Sequence, residues 1–183
     1  GIESVFPIFR DYNERIRVPG GFWLENAASH RKWNTSDGKA HFLVVQGLAE
    51  DPAVAANAGL LTLCTARSHD QYNTTIYGLN DRYRGIKGRR NVVFVNADDL
   101  AERDLREGDF IDVEASAPDG TPNGRAVRGF VAVAYDIARG SVAMYYPEGN
   151  GLLALADHDR KSGTPGYKSI PVRLSASSVQ AGH

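Results

Sequence analysis

A chain of 183 residues with 42% apolar and 23% charged residues has room for one full hydrophobic core. Its 21 basic and 22 acidic residues leave a net charge of −1, which argues against a duplex nucleic-acid binder, a class that relies on a basic excess or stripe. No apolar run approaches the roughly 20 residues of a membrane helix, so no membrane association is expected.

The first stretch, residues 1–40, is irregular, with a turn at Pro19-Gly20-Gly21 and aromatic residues Tyr12, Phe22, Trp23 and Trp33 in polar surroundings. It reads as a lead-in segment from an upstream domain. A strand-length apolar run spans Phe42 to Val45, and a loop of small residues spans Glu50 to Gly59. Leu60 to Thr65 and Asn91 to Val95 have the pattern of buried strands. Asn96 or Asp98 is placed to cap a short helix running to Leu105, with Gly108 as its stop. Strands are then predicted at Phe110 to Ala115, Ala126 to Tyr135, Ser141 to Tyr146 and Ser169 to Leu174, and a flexible tail at 176–183. Many short strands separated by Gly-rich turns give a mainly β domain over residues 41–175, a barrel or a sandwich.

Gly1 to Arg10 has neither the basic start nor the apolar stretch of a signal peptide, and the chain lacks an initiator Met, so it reads as a fragment of a longer protein or a processed one. The single cysteine, Cys64, excludes an internal disulfide and fits a reducing, cytoplasmic setting.

Catalytic constellations are weak. Ser68-His69-Asp70 has the composition of a hydrolase triad, but neighbours on an extended chain point to opposite faces, whereas triad side chains must bond in series. The five histidines lack paired zinc spacing, and Asp157-His158-Asp159 reads as a solvated loop rather than a metal site. Neither catalytic nor metal-ligating residues are expected. Arg82, Arg84, Lys87, Arg89 and Arg90, with Gly85 and Gly88, form a basic cluster that is either a solvated loop or a surface facing a phosphate-bearing ligand or a neighbouring domain. The richest stretch is Thr65, Ala66, Arg67, Ser68, His69, Asp70, Gln71, Tyr72, Asn73 and Thr74, where a strand end delivers a planar guanidinium and several neutral hydrogen-bonding groups.

That stretch resembles the cofactor loop of the C-terminal domain of the dimethyl-sulfoxide-reductase family of molybdoenzymes, with Thr65, Arg67 and Thr74 at matching places. The likeness continues in order. Arg31-Lys32-Trp33-Asn34-Thr35 with Gly38 and Ala40 resembles the family's lead-in strip; Val95 to Leu100, then Leu105 and Gly108-Asp109, resembles its strand, helix and turn. Asn150-Gly151-Leu152, the acidic loop from Asp157 to Pro165 and Tyr167-Lys168 resemble its final element. Within the family, Ser68 to Thr74 and Asp81 to Gly85 look like the formate-dehydrogenase-like oxidoreductases.

The resemblance implies a six-stranded double-psi β barrel with a few short helices, which binds and caps molybdopterin guanine dinucleotide (Mo-bis-MGD). The cofactor would be shared with upstream molybdopterin oxidoreductase domains of the same parent chain, which would also hold the metal ligand and any iron–sulfur site; the resemblance leaves the identity of an electron-transfer partner open. Carried over by position, Thr65 to Thr74 would line the dinucleotide, Asn150 would bond a pterin edge, and Lys168 would face phosphate or cofactor oxygen. The alternative is a stand-alone binding or interaction module on the same barrel, without a redox role.

Overall fold

The first long strand, β1 (Leu61–Ala66), alternates strictly: Leu61, Leu63 and Thr65 are buried, and the residues between them are half-exposed. That period-two pattern gives the strand one face toward a core. The computed structural model of the chain describes residues 1–42, 59–72, 77–117, 119–159 and 162–179. The expected strand beyond Phe42, most of the Glu50–Gly59 loop, and Asn73 and Thr74 therefore lie outside the described residues, as do tail residues 180–183.

The chain divides into two compact units, Gly1–Val45 and Gln46–His183. In the first, two single-turn helices, α1 (Ile2–Val5) and α2 (Tyr12–Arg15), are tied by an aromatic chain of edge contacts running Phe6, Phe9, Tyr12, Phe22. The Arg15 guanidinium lies 3.8 Å from the Phe22 ring centre and donates to the carbonyls of Ile8 and Arg10. No described residue of this unit is buried, so it lacks a core of its own among those residues.

The second unit is mainly β. After β1 come a two-strand hairpin, β2 (Asn80–Asp81) and β3 (Ile86–Lys87), then β4 (Val92–Val95), the short helix α3 (Ala97–Ala101), β5 (Phe110–Ser116), β6 (Pro122–Ala134), β7 (Ser141–Tyr145) and β8 (Ile170–Ala176). Six strands close into a ring in the order β1, β7, β4, β6, β5, β8. Two neighbouring pairs are parallel, β1 with β7 and β4 with β6; the other four are antiparallel. The ring encloses Leu61, Leu63, Val93, Val95, Ile111, Val113, Val142, Met144 and Val172, with Leu100, Leu105 and Leu152 closing its ends. Val92 and Phe94 face outward from β4 but are covered by Tyr145 and Ile86 in a second, smaller cluster. All four residues of β4 are consequently buried.

Local chemistry fixes several boundaries. Asn96 caps α3: its Oδ1 accepts from the Asp98 amide at 2.9 Å, and its Nδ2 donates to the Ile137 carbonyl at 2.8 Å. The helix ends earlier than the Gly108 stop suggested. Asp104 adopts φ 54°, its amide bonds the Ala101 carbonyl, and the Leu105 amide reaches back to Leu100, a left-handed helix terminus built on aspartate instead of glycine. In β6, Arg128 and Gly129 together oppose Asp112, because Phe130 pairs with Ile111 and Val127 with Val113. This is a β-bulge with Gly129 at φ 67°. Asp112 fills it, accepting from the Gly129 amide at 3.0 Å and from Arg128 at 2.6 Å. β8 extends through Ser175 and Ala176, which pair with Asp112 and Ile111 and so belong to the sheet.

Candidate functional site

Parallel pairing sets the site. Thr65 pairs with Met144 and Ala66 with Tyr145, so the chain leaves β1 and β7 on the same rim of the ring. The antiparallel partner β8 begins at that rim, since Leu63 pairs with Ile170. Three segments therefore converge: Thr65–Arg67, the stretch from Tyr146 to Leu155, and Pro165–Lys168. Between them lies a cleft of about 1020 Å³.

The segments are stitched together through backbone groups. The Thr65 amide donates to the Tyr167 carbonyl at 3.0 Å, and the Tyr146 amide donates to Ala66 at 2.8 Å. Lys168 Nζ donates to the Thr65 carbonyl, which brings an ammonium to the cleft wall. Asn150 lies on a 3-10 turn, Glu148–Leu152, which packs closely on β1; the nearest heavy atom to a Cβ on Gly149 would be Thr65 Cγ2, at 3.2 Å.

Of the residues singled out in the sequence, Thr65, Ala66, Arg67, Asn150 and Lys168 all line this one cleft. Ser68 and Gln71 do not: both are buried and belong to an internal network. His69, its side chain 9% exposed, accepts from Arg82 at Nε2 (2.8 Å) and makes an edge contact with Tyr83; Asp70 and Tyr72 are exposed and are not among the cleft-lining residues. His69 Nδ1 also lies 2.8 Å from Asp70 Oδ2, because Asp70 adopts φ 61° and the chain is not extended there, so the expectation that these neighbours point apart fails for this pair. Ser68 Oγ instead bonds with Gln71 and Arg90, and no Ser68–His69 bond completes a triad. The far wall adds Leu153, Leu155, Asp157, His158 and Tyr167, which residue type alone did not mark as ligand-facing. The sequence signal for Asp157 and His158 was the acidic, Pro-containing loop, and that for Tyr167 was the Tyr167-Lys168 pair; Leu153 and Leu155 carried none.

The basic cluster is divided by the structure. Arg82 and Lys87 are exposed, whereas Arg84 is half-buried and Arg90 is only 5% exposed. Arg84 donates to Asp81 Oδ2 at 2.8 Å and to the Arg67 carbonyl at 3.1 Å. Burial raises the Asp81 carboxyl, but bonds from Tyr145, Arg84 and the amides of Tyr83 and His69 outweigh it and hold the group below its ordinary value. The neighbouring Tyr145 phenol is pushed up, first by burial and then by its bond to Asp81. Among the described residues, no group of three or more His, Cys, Asp or Glu side chains is placed to hold a metal, and no helix is long and apolar enough to cross a membrane.

Residues 61–171 match a family model described as "Molydopterin dinucleotide binding domain". Protein YdeP of Escherichia coli is 51% identical over 176 residues, which cover 96% of this chain and 23% of that protein. A protein of Mycobacterium bovis named "Uncharacterized oxidoreductase Mb2924c" is 45% identical over 178 residues, 94% of this chain and 22% of that one. The chain therefore spans about a quarter of the length of these relatives. Among solved structures, acetylene hydratase from Pelobacter acetylenicus aligns with a TM-score of 0.46 and 13% identity, over 63% of this chain and 18% of that one. The family match takes in β1 to β7, the first two residues of β8 and the whole cleft rim: the chain belongs to the molybdopterin dinucleotide binding domain family.

Proposed function

We propose that the chain binds and caps a molybdopterin guanine dinucleotide, as the C-terminal domain of a larger, formate-dehydrogenase-like molybdenum or tungsten oxidoreductase. The observation that carries this reading is the convergence of Arg67, Asn150 and Lys168 on one cleft at the β1–β7–β8 rim. The two parallel strand pairs of the six-stranded ring support a double-psi barrel as its scaffold. Relatives about four times as long, one of them named an oxidoreductase, support a parent protein whose other domains complete the site.

The lining fits the ligand chemically. A dinucleotide carries a pyrophosphate, and Arg67 and Lys168 bring positive charge to the cleft. Guanidinium suits paired anionic oxygens and ammonium suits a single one. Asn150 carries both a donor and an acceptor, as a pterin edge demands. Leu153, Leu155 and Tyr167 give the cleft apolar surface that excludes water from one side of the ligand. A cleft of about 1020 Å³ lies at the upper end of ordinary ligand sites, consistent with a large cofactor.

Bound in the parent enzyme, the cofactor would supply two-electron redox chemistry at its metal. This chain's share would be to hold, orient and neutralise it. A calorimetric titration of the 183-residue chain with molybdopterin guanine dinucleotide tests this. Arg67→Ala and Lys168→Ala should each weaken binding about tenfold, the effect of losing one charge-assisted hydrogen bond. Equal affinity in wild type and both variants would refute the assignment.

A further inference from the structure

Arg90 is buried beside the cleft and bonded at all three guanidinium nitrogens, yet it is not among the cleft-lining residues. Its Nη1 donates to Ser68 Oγ at 2.5 Å and its Nη2 to Gln71 Oε1 at 3.0 Å, both in the loop that follows β1. On the other side, Nη2 donates to the Tyr146 carbonyl at 2.7 Å, and Nε donates to Glu148 Oε1 at 2.6 Å. Gln71 Nε2 joins the same two segments directly, bonding the Tyr146 carbonyl at 2.6 Å. The guanidinium plane is held against the rings of Tyr77 and Tyr145, 3.6 and 4.7 Å from their centres. All three guanidinium nitrogens are therefore engaged.

The two segments so joined are two of the three that wall the cleft. Ser68 follows Arg67, and Glu148 begins the turn that carries Asn150. We propose that Arg90 is the positioning residue of this site: a buried guanidinium, paired with Glu148, that clasps the loop after β1 to the segment after β7 and so presets Arg67 and Asn150 for a shared ligand. The inference rests on the cofactor reading of the cleft. A buried ion pair adds little net stability, because desolvation offsets its attraction. What the fork adds, and an apolar side chain or a lysine would not, is simultaneous fixed contact with both segments.

The test is a double-mutant cycle on the 183-residue chain, with GMP as the probe of the dinucleotide site and amide hydrogen exchange as a second readout. Arg90→Lys keeps the charge but loses the fork. The substitution should speed exchange at the Ser68 and Gln71 amides by about tenfold while leaving the Val93 and Val113 amides protected, a local opening rather than global unfolding. Arg67→Ala should weaken GMP binding about tenfold in wild type but less than about threefold beside Arg90→Lys, since a residue no longer held in place has little left to lose. Glu148→Gln, which retains an acceptor for Arg90, should act in the same direction and serves if Arg90→Lys does not fold. Equal fold-changes for Arg67→Ala in both backgrounds, or exchange that rises uniformly across the chain, would overturn the positioning role and leave the cleft assignment standing. No effect of Arg67→Ala in wild type would overturn the cleft assignment and this inference with it.

Discussion

Tyr145 Oη donates a 2.6 Å hydrogen bond to Asp81 Oδ2, joining the last residue of β7 to the hairpin that covers the outer face of β4. Asp81 is 3% exposed and also accepts from Arg84 and from the amides of Tyr83 and His69. Because these bonds hold its folded-state pKa below the ordinary 3.8, its contribution to stability is fully present above that value. The contribution is lost as pH falls through the lowered folded value. Asp81→Asn should therefore cost about 1–3 kcal/mol at neutral pH, and the gap to wild type should narrow steadily below about pH 4. Urea denaturation at a series of acidic pH values measures this; a gap independent of pH would show that the carboxylate charge is not what the network uses.

Gly149 sits where the turn bearing Asn150 presses on β1. An added Cβ would meet Thr65 Cγ2 at 3.2 Å and Met144 Cβ at 3.5 Å, both in the packed rim. Gly149→Ala should destabilise the chain by about 1–2 kcal/mol through overpacking, read as a lowered thermal midpoint. It should also weaken ligand binding by displacing Asn150.

Asn96 serves α3 twice, as N-cap and as donor to the loop before β7. Asn96→Ala should cost about 1–2 kcal/mol, the sum expected for a lost cap and one further bond. Asn96→Asp retains the capping oxygen but not the donor to Ile137, so it should recover part of that loss in chemical denaturation.

What could be read from the sequence was set by local periodicity. Leu61–Ala66 and Val92–Val95 are legible because alternation and valine content mark half-buried and fully buried strands. The hairpin strands Asn80–Asp81 and Ile86–Lys87 are two residues each, too short for any pattern. The ring order was not legible either: the pairing of Thr65 with Met144 joins residues far apart in the chain, and nothing local specifies it. Arg67, Asn150 and Lys168 were reached through motif resemblance, and the structure gathers them at one cleft. Arg90 was hidden for a physical reason. A buried guanidinium and a solvated one look alike in sequence, and only the convergence of Ser68, Gln71, Tyr146 and Glu148 around it shows the difference.

The central claim is that the cleft at the β1–β7–β8 rim is the dinucleotide site. Its most direct test is to map backbone amide chemical-shift changes on the 183-residue chain as GMP is added to saturation. The account predicts that the largest changes fall on Thr65, Ala66, Arg67, Asn150 and Lys168, with Asp112 and Arg128, at the bulge of the β5–β6 pair, unmoved. Changes centred elsewhere on the ring, or none at saturating nucleotide, would contradict it.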